Sequence, residues 1–344
     1  PDVVQKPGQV ASSNNPPWLS RTLEPGTSWI GGCGMDTRSY SAAERLERLP
    51  ISGYHRVIFI IIALAFFFDS MDLAMMTFLL GSIKTEFGLS SAQAGLLASS
   101  SFFGMVVGAS LSGMLADRFG RKKPLILAAI LFTISAWGTA AAGNFDLFVV
   151  YRIIGGIGIG LASALSPMYI AEISPADKRG KFVAINQLTI VLGVLAAQLV
   201  NLMIADPVAS NATQADILAT WNGQSGWRWM FGAELVPALA FLVLMFFVPE
   251  SPRWLAKDGQ YEKASRMLGK IGGDAYAKQT LAEIRQTLVG ETHKVSLSDL
   301  GKPSVRPILI IGIVLAVFQQ WCGINVIFNY AQEIFMAAGY GVSD

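Results

Sequence analysis

Residues 113–123 read GMLADRFGRKK, one acid and four bases within eleven residues. The segments on either side, 94–116 and 124–143, carry no charged side chain apart from the loop they enclose. A helix rises ~1.5 Å per residue and needs roughly 20 apolar residues to cross the hydrocarbon of a bilayer. The stretch therefore reads as a tight loop between two membrane-spanning helices. Its four bases, Arg118, Arg121, Lys122 and Lys123, place it on the side where positive charge is retained. Gly113 permits close helix approach, and Asp117 is free to cap the next turn or to pair with Arg118 or Arg121. An ordinary basic loop would satisfy the charge pattern alone.

The rest of the chain fits that reading. Of 344 residues, 52% are hydrophobic and 15% charged, against nearer 25% charged in a soluble domain. Five further segments have spanning length: 57–80, 146–172, 182–204, 229–248 and 307–336. Basic residues gather on one side of these spans. They are Arg45, Arg48 and Arg56 before the first span, Lys178, Arg179 and Lys181 between the fourth and fifth, and ten Lys or Arg across 249–306. The opposite side offers Lys84 and Arg228. The expected protein is a multi-pass protein of the plasma membrane (the inner membrane of a bacterium) with its N-terminus cytoplasmic.

The expected organisation has four parts. Residues 1–56 form a cytoplasmic tail, rich in Pro, Gly, Ser and Asn up to residue 34 and disordered by composition. Met35 reads as the natural start. Residues 57–248 form a six-helix transmembrane bundle, and 249–306 a cytoplasmic helical linker. There Ser251 is placed as an N-cap, Pro252 at the first helical position and Gly259 at the end, with two amphipathic helices following. Residues 307–344 hold a seventh span that begins a second bundle, so the sequence reads as the first part of a longer protein. Cys33 and Cys322 lie in dissimilar surroundings and suggest no disulfide framework. His55 and His293 are isolated, so no metal site is expected. No nucleophile–base set appears, and an enzyme is not expected.

Two stretches carry chemistry. In YRIIGGIGIGLASALSPMYIAEISPADKRG, 151–180, the glycines resemble a nucleotide loop only superficially, because no strand precedes them and they lie within a lipid-length helix. Gly156 and Gly160 instead form a small-xxx-small packing face. Arg152 stands about six residues inside that span, where charge is rare and usually functional. The second stretch is FQQWCGINVIFNY, 318–330. Gln319, Gln320, Asn325 and Asn329 in an apolar run need partners, since an unpaired amide in hydrocarbon costs roughly 2–7 kcal/mol. Helix–helix hydrogen bonding would supply them; so would a polyhydroxyl ligand.

The string G-x-L-A-D-R-x-G-R-K resembles the loop between the second and third helices of the major facilitator superfamily. With RIIGGIGIG, PMYIAEISPADKRG, NQLTIVLG, GWRWMFGAE, PESPRWL and QQWCGIN, the chain resembles the sugar porter family of that superfamily from residue 113 to 325. The resemblance implies an all-α membrane protein: a six-helix N-terminal bundle of the major facilitator type, cytoplasmic helices and the start of a second bundle. It implies alternating-access transport of a sugar (hexose, pentose or polyol), coupled to proton symport, by a monomer in the bilayer with no nucleic-acid partner and no cofactor other than the coupling proton. Gln187, Gln319, Gln320 and Asn325 match sugar-contacting amides, and Asn329 stands where many members have a tyrosine. Val194 replaces a second glutamine of some symporters, which leaves the sugar open.

Asp72 matches the acid of the first helix that pairs with Arg152 in proton-coupled members, and Glu234 a neighbouring acid of the sixth. By residue count Asp72 and Arg152 reach similar depth. Asp69, three residues before Asp72, shares its face and can share a proton with it. The resemblance further assigns Asp117, Arg118, Arg121, Glu172, Arg179, Glu250 and Arg253 to a cytoplasmic salt-bridge gate. A static ion pair in a facilitator would explain Asp72 and Arg152 equally. Asp69 with Asp72 also resembles relatives that carry organic acids, and a non-transporting sugar sensor is the remaining alternative.

Overall fold

The computed structural model describes residues 53–174, 179–207, 214–290, 302–303 and 305–323, and isolated positions beyond. The N-terminal tail, Asn325, Asn329 and the Arg179 side chain lie outside the described residues.

The helices are α1 (Gly53–Glu86), α2 (Ser91–Phe119), α3 (Lys122–Ala141), α4 (Phe145–Ile173), α5 (Arg179–Ile204), a short α6 (Gln214–Ala219), α7 (Trp227–Ala233), α8 (Leu235–Met245), α9 (Pro252–Lys257), α10 (Tyr261–Gly290) and α11 (Arg306–Trp321). No strand occurs among the described residues. Five of these helices, and a sixth run from Asn222 to Met245, are long and apolar enough to cross a membrane. That sixth run joins a π-helical turn at Asn222–Gly226 to α7 and α8. The first span reaches beyond 57–80 at both ends, and the sixth starts earlier than 229. Neither α6 nor the π turn has a clear periodic signal in the sequence. The apolar α11 has 16 residues, none of them buried.

Local chemistry sets the helix ends. Ser90 Oγ accepts from the Gln93 N–H at 3.3 Å and Gln93 Oε1 from the Ser90 N–H at 3.0 Å, a reciprocal cap that starts α2. Asn144 Oδ1 accepts from the Leu147 N–H at 2.8 Å and starts α4. Gly120 ends α2 with φ +86°, a region that other residues rarely adopt.

The α2–α4 contact is made backbone to backbone. A Cβ on Gly156 would fall on the Ser101 carbonyl and one on Gly160 on the Met105 carbonyl. From the other side, Cβ atoms on Gly104 and Gly108 would fall on the carbonyls of Ile153 and Ile157. The expected small-residue face of α4 is thus answered by one on α2. Gly113, expected to bring helices together, faces open space. The seam ends before it, because Gly113 lies on an exposed side of α2.

Aromatic side chains fill the space between the spans. Phe68 of α1 stacks on Phe132 of α3 at 4.3 Å, and Phe132 meets Phe241 of α8 at 6.2 Å. A second group joins Phe148, Trp227 and Phe231, the last two 6.2 Å apart. The outward faces carry exposed apolar residues such as Phe103, Trp137, Leu199 and Phe247, as lipid contact requires.

After the sixth span, Ser251 Oγ accepts from the Trp254 N–H at 3.4 Å and Pro252 opens α9. Gly259 follows with φ +79°. The two expected amphipathic helices are the two halves of α10, separated by a kink at Gly273 with φ +84°.

Candidate functional site

In the interior of the spans, the charged side chains among the described residues are Asp69, Asp72, Arg152 and Glu234. They come together. Arg152 Nη1 donates to Asp72 Oδ1 at 2.6 Å, and both side chains are 1% exposed. The guanidinium lies 5.8 Å from the centroid of the Phe231 ring, a cation–π distance. One turn past Phe231, Glu234 is fully buried and interacts with both Asp72 and Arg152. Asp72 Oδ2 and both Glu234 oxygens have no donor, nor has Arg152 Nη2 an acceptor. Two carboxyls and one guanidinium thus share a site in which all three side chains are almost fully buried. Buried groups of this kind are costly as unpaired charges.

Glu234 keeps helical dihedrals, φ −63° and ψ −20°, at a local interruption of the sixth span. It is the residue between α7 and α8, and Pro237 follows three positions later. Proline has no N–H for the carbonyl four residues earlier, that of Ala233, which loosens the helix at this point. A narrow cavity of about 30 Å³ beside Arg152 is lined by Thr77 of α1 and Ser101 of α2 among others, and has room for about one or two waters.

Asp69 makes a separate link. Its Oδ2 accepts from Ser163 Oγ at 3.1 Å, while Oδ1 is buried without a donor. Ser163 lies four residues before Pro167 in α4, so α1 and α4 are joined by two polar contacts, Asp72–Arg152 and Asp69–Ser163.

The end of the bundle that bears the basic loops holds a second cluster. Arg121 Nη2 lies 2.7 Å from Glu172 Oε1, and Nε donates to the same oxygen at 3.1 Å. Glu250 Oε1 accepts from the backbone N–H groups of Arg121 at 2.7 Å and Ser251 at 2.9 Å. A Cβ at position 120 would strike this carboxylate, so the glycine serves space as well as φ. Asp117 neither caps the next turn nor pairs with Arg118 or Arg121. Its carboxylate is 3.4 Å from Lys257 Nζ and its carbonyl accepts from Trp254 Nε1 at 3.3 Å, which ties α2 to α9. Arg121 is drawn off by Glu172. Arg118 sits 5.3 Å from the Phe119 ring, and Arg253 is exposed.

The opposite end has a contact without a local sequence signal. Glu86 at the end of α1 accepts from Arg228 Nη2 at 2.7 Å and from Trp227 Nε1. The amides are less gathered. Gln187, Gln319 and Gln320 are exposed. Asn186, beside Gln187, faces inward, 1% exposed and with Oδ1 unpartnered.

A helical bundle with six runs long and apolar enough to span a bilayer defines a multi-pass membrane protein. The family model "Sugar (and other) transporter" matches residues 46–343, and the chain belongs to that family. It is 39% identical over 298 residues to the arabinose-proton symporter of Bacillus subtilis, covering 85% of this chain and 62% of that protein. It is 42% identical over 264 residues to the D-xylose-proton symporter of Escherichia coli K12, covering 71% and 51%. An inward-open structure of the xylose transporter XylE from E. coli superposes with a TM-score of 0.69 at 38% identity, over 82% of this chain and 64% of that one. A double-tryptophan mutant of XylE gives a TM-score of 0.73 over 85% and 64%. The chain spans about half to two thirds of the length of the relatives it matches.

Proposed function

We propose that the chain supplies the first bundle of a sugar–proton symporter that works by alternating access, with its N-terminus and basic loops in the cytoplasm. The observation that carries this reading is the buried Asp72–Arg152 pair with Glu234 beside it, in a chain similar to arabinose- and xylose-proton symporters. Asp72 takes a proton when the pair opens to the outside and loses it inside. Arg152 holds the deprotonated acid, and Glu234 receives the proton or the cation while the pair is open. One charge moved through the membrane potential supplies about 2.3 kcal/mol per 100 mV, roughly a fortyfold gradient at ~1.4 kcal/mol per tenfold.

A neutral, hydroxyl-rich solute fits the charge balance. Within the spans Asp72 and Glu234 are buried beside one arginine, Arg152, with half-buried Asp69 one turn away, so a carboxylate substrate would add repulsion. Gln187, Gln319, Gln320, Asn325 and Asn329 are proposed to meet the sugar, with Asn186 as a further inward amide. Arg121, Glu172 and Glu250, with Asp117, Arg118, Arg179 and Arg253 around them, are proposed to hold the cytoplasmic side shut. Their contacts knit α2, α3, α4 and the segment before α9 at a single point.

The test is uptake of labelled xylose, arabinose and glucose into proteoliposomes with an imposed proton gradient. Wild type concentrates one of them and acidifies the lumen in step. Asp72→Asn exchanges that sugar across the membrane without concentrating it. Accumulation by the variant under a proton gradient would remove Asp72 from the coupling step.

A further inference from the structure

At the basic end of the bundle a groove of about 520 Å³ runs between the start of α3, the residues after α8, and helices α9 and α10. Pro249, Leu255 and Met267 give it an apolar floor, the last two almost fully buried. Its rim carries Lys122, Lys123, Lys263, Arg266 and Lys270. The acid in its lining, Glu250, already accepts from backbone N–H groups of Arg121, Lys122 and Ser251. Among the described residues Lys123 and Lys270 form no ion pair, Lys263 Nζ reaches a neutral partner, Gln260 Oε1, at 2.8 Å, and Arg266 has only an exposed contact with Glu262 at 3.7 Å. The groove therefore has an excess of positive charge over an apolar base.

Its position narrows the occupant. Lys122 Nζ donates to the Phe246 carbonyl at 2.8 Å, so the rim begins at the last turn of the sixth span. Phe246 and Phe247 there are 60% and 76% exposed, and in a spanning helix such side chains lie against acyl chains. A small phosphate in water has no use for an apolar floor whose Pro249 lies two residues along the chain from the exposed Phe247. A molecule with a phosphate head and acyl chains uses both parts, because clustered lysines and arginines at the membrane surface attract anionic lipid.

We infer that this groove binds the headgroup of an anionic phospholipid, its phosphate among Lys123, Lys263 and Lys270 and its chains passing Phe246 and Phe247. The lipid bridges α10 to the start of α3, next to the Arg121–Glu250 contact. This depends on the chain spanning a membrane and not on what it transports.

The intact protein, purified in neutral detergent, is offered phosphatidylglycerol or phosphatidylcholine, and retained lipid is counted by native mass spectrometry. Wild type keeps phosphatidylglycerol in preference. Lys263→Gln with Lys270→Gln weakens that binding about 25-fold, about fivefold per lysine, with phosphatidylcholine unchanged. The Lys263→Arg, Lys270→Arg pair retains it, which separates loss of charge from loss of fold. Equal retention of the two lipids, indifference to the glutamine pair, or displacement by millimolar inorganic phosphate would each overturn the assignment, the last by revealing a site for free anions.

Discussion

Asp72 and Arg152, eighty residues apart in the chain, meet at 2.6 Å with Glu234 at their side. The acid and the base lie on different helices, α1 and α4, and the third group in the sixth span between α7 and α8. Removing the base leaves Asp72 and Glu234 buried with no cation, a change that costs about 3–5 kcal/mol for a pair of this kind. Removing Asp72 is expected to cost less, since Glu234 shares the buried site and feels the charge of Arg152. Thermal unfolding in detergent is expected to rank Arg152→Gln well below Asp72→Asn, with Asp72→Asn plus Glu234→Gln worse than the sum of the two by about 1–3 kcal/mol. Additive losses would mean that Glu234 does not substitute.

Asp69 gives a second expectation. Its link to Ser163 is a hydrogen bond to a neutral hydroxyl, which an asparagine oxygen can also accept. Asp69→Asn should therefore leave proton-driven accumulation within about twofold of wild type, as a change worth well under 1 kcal/mol. Parallel measurement of sugar and proton flux checks this. A halved proton-to-sugar ratio would make Asp69 a second carrier of the coupling ion.

The glycine seam predicts a sharp contrast within one motif. Gly156→Ala and Gly104→Ala put a methyl onto a carbonyl of the facing helix and should greatly reduce the amount of monodisperse protein. Gly113→Ala, whose new methyl meets nothing within 4 Å, should be tolerated. Fluorescence-detected size-exclusion chromatography reads all three.

At the basic end, Arg121 bonds twice to one oxygen of Glu172, with both side chains 10% exposed. Charge-assisted hydrogen bonds are worth about 1.5–3 kcal/mol. Arg121→Gln should shift the population toward opening on that side by about tenfold or more, Glu172→Gln should act in the same direction, and the double variant should add little. Alkylation of a cysteine placed on the inner wall measures the shift. Full additivity would mean that the two side chains act separately.

Much of this was legible from the sequence where a single residue breaks a strong rule. Arg152 stood out because charge is expensive inside a span, and its depth pointed to Asp72. Gly156 and Gly160 announced a packing face. Partners that lie far along the chain were not legible. Nothing near Glu86 points to Arg228 and Trp227, and no local pattern shows that Glu250 serves the backbone of Arg121 and Lys122. Gly104 and Gly108 are ordinary until the helix opposite is known. Among the amides, a one-residue step around α5 separates exposed Gln187 from buried Asn186, and the NQL string does not state which faces inward.

Because carbonyls of α2 and α4 fill the notches left by each other's glycines, these two helices form a fixed chassis within the bundle. Arg152 is bolted to that frame. Both acids beside it are carried by other elements, Asp72 by α1 and Glu234 by the sixth span, so the guanidinium is held by one rigid pair of helices and its counter-charges by two others.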